Sequence, residues 1–197
     1  MARRSRSRSK LPFIIGVVIV AVIAFLAIGQ YNSLVNVEED VSNKWAQVDN
    51  QIKRRASLIP DLVNTVKGVA GQEEKVYGKV AEAQAGLARA ASTEQRIEAD
   101  QQVTSSLRGL IALQTTYPEL KSSGSFQKLM DSLEGTENRL GIARKDYNDA
   151  VTLYNKKRRS FPTTLYASAF GFEKKPYYEI SDSDRENPTV DFNSDSK

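Results

Sequence analysis

Apolar residues along this chain change their spacing once, and that change divides it. From Leu11 to Gly29 they run almost unbroken and without charge (LPFIIGVVIVAVIAFLAIG). From Tyr31 onward they thin to a stripe. Leu34, Val37, Val41, Trp45, Val48 and Ile52 recur every three or four residues, the period of a helix with one buried face. A second helix follows with Leu58, Leu62, Val66, Val69, Val76, Val80, Ala83 and Leu87. A third carries Ile97, Val103, Leu107, Leu110 and Ile111. A fourth, from about Phe126 to Arg158, carries Phe126, Leu129, Leu133, Leu140, Tyr147, Val151 and Tyr154. No segment alternates as a half-buried strand does.

Local signals place the boundaries. Pro60 cannot donate to the carbonyl of Ala56 and its ring crowds that turn. Ser57 lies three residues earlier and can cap a new helix. A turn at Ala56–Ser57 is the preferred reading, with a kinked continuous helix as the alternative. Gly68 and Gly71 each weaken the second helix by about 1 kcal/mol relative to Ala. Ser92-Thr93-Glu94-Gln95 has the form of a capping box and starts the third helix. Pro118 to Ser125, with Ser122-Ser123-Gly124, reads as a loop. After Arg159 come Phe161-Pro162, Leu165, Tyr166, Phe170-Gly171-Phe172 and Pro176-Tyr177-Tyr178, an aromatic segment. The expected fold class is all-α: a single N-terminal transmembrane helix continuing into an antiparallel up-and-down four-helix bundle.

The uncharged run at about 1.5 Å per residue just crosses a hydrocarbon core of about 30 Å. Arg3, Arg4, Arg6, Arg8 and Lys10 precede it, and the next charges, Glu38, Glu39 and Asp40, are acidic. An uncleaved signal anchor fits better than a secretory signal, whose h-region is shorter. The amino terminus is then cytoplasmic, and the helical domain lies outside the bacterial plasma membrane. No Gly-, Ser- or Pro-rich linker separates the run from the Tyr31 helix, so the two read as one rod. The domain boundaries follow: residues 1–10 a basic head, 11–30 the transmembrane helix, 31–178 the helical domain with its aromatic segment, and 179–197 an acidic, disordered tail.

Charge and composition then narrow the chemistry. The net charge of +4 hides an uneven distribution, because the head contributes +5 and the rest of the chain sums to −1. No basic domain remains to bind nucleic acid. Cys and His are both absent, which removes disulfides, thiolate or imidazole zinc sites, Cys nucleophiles and His-dependent triads. Glu137, Arg144, Asn148 and Asn155 share nearly one face of the fourth helix. That ladder reads as a buried polar set pairing with Asp49, Arg54 and Arg55, with a ligand groove as the competing reading. Glu134 and Glu137 could form a carboxylate pair for acid–base or metal work, the basis of a hydrolase as a third reading. One helix alone gives no site, however, and no Glu-x-x-His partner exists. Trp45 is expected as a core anchor. Tyr166, Phe170, Phe172, Tyr177 and Tyr178 are expected to form an aromatic belt at the membrane interface. No cofactor is expected.

Motifs spread over the whole soluble part resemble the LemA family. They are Tyr31-Asn32-Ser33-Leu34-Val35, Trp45-Ala46-Gln47-Val48, and Arg54-Arg55-Ala56-Ser57-Leu58-Ile59-Pro60-Asp61-Leu62-Val63. Further on come Tyr117-Pro118-Glu119-Leu120, Glu134-Gly135-Thr136-Glu137-Asn138-Arg139, and Ala143-Arg144-Lys145-Asp146-Tyr147-Asn148. Tyr154-Asn155, Phe161-Pro162 and Phe170-Gly171-Phe172 complete the series. The chain departs from the family pattern at Ser57, where an Asp is usual, and at Asp61, where an Asn is usual. The resemblance implies one membrane helix and an antiparallel four-helix bundle, and brings no enzymatic activity with it. It also implies a setting near membrane proteases or TPM-domain proteins, and a related member helps build a bacterial membrane organelle. The expectation is a non-enzymatic, self-associating envelope scaffold whose partners are the bilayer, further copies and such envelope proteins. A ligand-binding sensor using the polar face of the last helix is the alternative.

Overall fold

A computed structural model describes residues 11–71 and 73–179. The side chains of residues 11–13, 19, 20, 23, 24 and 26 are outside that description. So are the basic head and, beyond Glu179, the acidic tail. The described chain is all-α with several long antiparallel helices. In order they are α1 (Leu11–Ala70), α2 (Glu74–Arg89), α3 (Thr93–Thr116), a single turn α4 (Glu119–Ser122), and α5 (Gly124–Arg159). A 3₁₀ turn, Thr163–Leu165, follows. Among the described residues no helix is long and apolar enough to cross a membrane.

The turn expected at Ala56–Ser57 does not form; α1 is continuous through Pro60, as in the alternative reading. The stripe explains why. Val48, Ile52, Ile59, Leu62 and Val66 are all fully buried and keep a single helical phase across the proline. Burying each such side chain contributes about 1.5–3 kcal/mol, more in sum than the roughly 3 kcal/mol cost of an interior proline. The ring of Pro60 faces solvent. The Ala56 carbonyl that it leaves without a helical donor accepts from Gln84 Nε2 at 3.3 Å. Ser57 caps nothing, and its hydroxyl donates back to Arg54 O. The chain breaks instead at Gly71, whose φ of +63° is left-handed and suited to a residue without Cβ.

The capping box is present as expected. Ser92 Oγ accepts from Gln95 N at 3.2 Å, and the Gln95 side chain returns to Ser92 N. The segment expected as loop between Pro118 and Ser125 contains the turn α4, which buries Leu120.

Two compact units divide the described residues. One holds the chain up to Asn43 together with Ala150–Lys175; the other holds Lys44–Asp149 and the chain from Pro176. In the second unit α2 and α3 pair as a hairpin, and Val80, Val103, Leu110, Leu120 and Leu140 join the α1 stripe in its core. In the first, Leu34, Val151 and Tyr154 are fully buried.

Candidate functional site

Charged residues interrupt the apolar stripes at four places in the Lys44–Asp149 unit, and those places meet. On α1, Arg55 stands between Ile52 and Ile59, and on α3 Asp100 stands between Ile97 and Val103. On α5, Glu137 and Arg144 alternate with Leu133, Leu140 and Tyr147. Helical periodicity therefore aims each of them inward. Arg55 (3% exposed) and Asp100 (0%) are buried, Arg144 is nearly so, and Glu137 lies at the edge.

They form a closed, alternating ring. Arg55 Nη1 donates to Glu137 Oε2 at 2.7 Å, and its Nη2 donates to Asp100 Oδ1 and to the Asp100 carbonyl at 3.2 Å. Arg144 Nη2 reaches Asp100 Oδ2 at 2.9 Å and its Nη1 reaches Glu137 Oε1 at 3.0 Å. Two guanidiniums and two carboxylates cancel in charge, and each carboxylate oxygen has a donor. Tyr178 closes the set. Its hydroxyl donates to Asp100 Oδ2 and its ring lies 4.6 Å from the Arg144 guanidinium carbon. Burial alone would lower Arg144, but Tyr178, Glu137 and Asp100 together hold it above its ordinary value. Burial, reinforced by Asp100, pushes the Tyr178 phenol far above its ordinary range.

The two asparagines of the ladder serve the main chain. Asn148 donates to Tyr178 O at 2.9 Å and accepts from Tyr178 N at 2.8 Å. Tyr147 donates to Pro176 O at 2.8 Å, and Gln101 Nε2 to Glu179 O at 2.8 Å. The Pro176–Glu179 segment is thereby held as a strap, with Tyr178 against the ring. Burial first, and Glu94 second, push Tyr147 up to about 12.

In the other unit Asn155 repeats the clasp, donating to Lys175 O at 2.9 Å and accepting from Lys175 N at 3.1 Å. Tyr154 donates to Glu173 O, and Arg158 Nε to Phe172 O. Burial, then Glu38, pushes Tyr154 up to about 12. Lys175 pairs with Glu38 at 2.7 Å and Lys157 with Ser33. Gly171, at φ +80°, supplies the left-handed turn that brings Phe172 back inside.

The ladder's expected α1 partners need correction. Arg55 pairs with it; Arg54 faces solvent, and Asp49 binds Arg96 and Lys53 instead. Glu134 and Asn138 are exposed. Trp45 packs on Tyr147 with ring centres 5.3 Å apart. The aromatic set also divides: Phe172 and Tyr178 are buried, whereas Phe161 and Phe170 are exposed beside the half-buried Pro162. Asp100, the residue at the centre of the ring, was missing from the sequence reading. Its signal was a carboxylate placed three residues from both Ile97 and Val103, inside an apolar stripe. Among the described residues no cluster of His, Cys, Asp and Glu is arranged to hold a metal.

The sequence model of the LemA family matches residues 44–192. Two relatives from Paramagnetospirillum magneticum, magnetosome proteins MamQ 1 and MamQ 2, are each 25% identical over 82% of this chain and 70% of their own length. Protein LemA of Metamycoplasma hominis is 20% identical over 84% of this chain and 76% of its own.

Proposed function

The chain belongs to the LemA family, and on that premise we propose that it is a non-enzymatic, membrane-anchored scaffold of the bacterial cell envelope that self-associates. One observation carries the reading. The helix that supplies Arg55 to the ring also bears, between Ile14 and Ile28, a series of large apolar side chains each half or more exposed. An apolar surface of that extent is a site for lipid or protein, since water does not leave it bare. With the basic head before it, the run acts as a single span, amino terminus inside, that continues into an up-and-down four-helix bundle.

The buried chemistry supports a scaffold over a sensor or an enzyme. Glu137, Arg144, Asn148 and Asn155, the groups a ligand would need, are engaged by partners in this chain. The partners proposed are the bilayer, further copies of the chain, and envelope proteins such as membrane proteases or TPM-domain proteins. Relatives named for the magnetosome support a place in a larger assembly.

Light scattering of gently extracted full-length protein tests this, with a large particle expected. A monodisperse monomer with the run intact would refute self-association. Ser196→Cys should label from outside in cells with an intact inner membrane; labelling only after lysis would reverse the topology.

A further inference from the structure

The unit that holds residues up to Asn43 with Ala150–Lys175 presents its own apolar surface on the loop after α5. Phe161, Leu165 and Phe170 are 80%, 73% and 65% exposed. This exposure is built by the fold. Thr163, Ala167 and Phe172 of the same loop are buried, and main-chain bonds such as Thr164 N to Ser160 O and Phe172 N to Ala167 O fix its turns. The three large side chains are therefore held outward.

Two further features belong to the same unit. The last turn of α5 is Lys156-Lys157-Arg158-Arg159. Lys157 and Arg158 are used internally, on Ser33 and on the Phe172 carbonyl. Lys156, Arg159 and the later Lys174 are exposed and make no ion pair among the described residues. In addition, the Phe170 ring meets Tyr31 edge-on with centroids 5.5 Å apart, and Tyr31 stands two residues beyond Gly29, where the apolar run ends.

We infer that this loop is a second membrane contact, seating Phe161, Leu165 and Phe170 at the headgroup–acyl boundary of an anionic bilayer beside the point where α1 leaves it. Phenylalanine and leucine side chains insert at the boundary of headgroups and acyl chains, and free lysine and arginine side chains beside them are attracted to anionic headgroups. The inference rests on the proposed anchor, because Tyr31 marks the interface only if the preceding run is in lipid. It gives α1 a second tether on the same unit, which restricts its rotation about the membrane normal.

The absence of native cysteine allows single-site labelling of the full chain. Leu165→Cys, Phe25→Cys and, as an α3 control, Ser105→Cys would each carry an environment-sensitive fluorophore. Each labelled protein would be placed in nanodiscs of phosphatidylcholine with or without phosphatidylglycerol, and quenched by lipids bearing shallow or deep nitroxides. The expected result is a blue-shifted Leu165 label quenched by shallow nitroxides, more strongly with phosphatidylglycerol, while the Ser105 label is unaffected. Replacing Lys156, Arg159 and Lys174 by Gln should remove the phosphatidylglycerol-dependent part. Quenching at Phe25 without quenching at Leu165 overturns the inference and leaves the anchor standing. No quenching at Phe25 overturns the anchor itself. Equal quenching at Leu165 in both lipids overturns the anionic requirement.

Discussion

The same device, an asparagine clasping the main chain of the C-terminal segment, occurs in both units, but its surroundings differ. Around Asn148 the clasp delivers Tyr178 to a ring of two arginines and two carboxylates that pair with one another, with Glu137 at its exposed edge. Around Asn155 it delivers Lys175 to Glu38, next to a loop whose aromatic side chains and several cations face outward. One unit consumes its polar groups internally. The other leaves Phe161, Leu165 and Phe170, with Lys156, Arg159 and Lys174, exposed.

The largest effect should come from opening the ring. Asp100→Ala or Arg55→Ala leaves a buried charge without its partner and should cost about 3–5 kcal/mol, read by urea denaturation in detergent. The adjacent Arg54→Ala, on an exposed side chain, should stay within about 0.5 kcal/mol. Equal losses for Arg54 and Arg55 would erase the distinction between ring and surface.

Tyr178→Phe removes one hydrogen bond to a charged group and should cost about 1.5–3 kcal/mol at neutral pH. The pH dependence has a definite sign. The phenols of Tyr147, Tyr154 and Tyr178 are all raised in the folded protein, so their contribution is complete below about pH 10, the unfolded value, and is lost as pH climbs toward the folded ones. The denaturation midpoint of the wild type should fall between about pH 10 and 12, and Tyr178→Phe should fall less steeply. Parallel slopes would show that Tyr178 is not held as described.

Asn148→Ala and Asn155→Ala each break a two-bond clasp and should cost about 1–3 kcal/mol apiece. Limited chymotryptic cleavage after Tyr177 or Tyr178 should accelerate more for Asn148→Ala than for Asn155→Ala, since Asn148 clasps the main chain of Tyr178. The smallest effect on stability belongs to the outward loop. Phe161→Ser should change it by no more than about 0.5 kcal/mol, because the side chain is already 80% exposed.

Much of this was legible in the sequence for physical reasons. The Ser92 capping box is local, so it could be read without tertiary information. The Pro60 region could not, because the deciding facts are a continuous buried stripe and a glutamine from α2 that reaches the orphaned Ala56 carbonyl. A turn would have reset the phase of that stripe, and Val48, Ile52, Ile59, Leu62 and Val66 show no reset. Arg55, Glu137 and Arg144 were visible as polar residues on a shared face. Asp100 was hidden because the stripe was read through its apolar members alone. Charges that stand in register within an apolar stripe on three helices were the available signal, and pairing them requires the fold.

The polar face of α5 is spent on the protein's own structure in the Lys44–Asp149 unit. A double-mutant cycle between Asp100→Asn and Arg144→Met, measured by denaturation of the full chain, tests it most directly. An interaction energy of about 0.5–3 kcal/mol is expected, the range of directly contacting pairs. Strictly additive losses would contradict it and return Arg144 to the role of a free site residue.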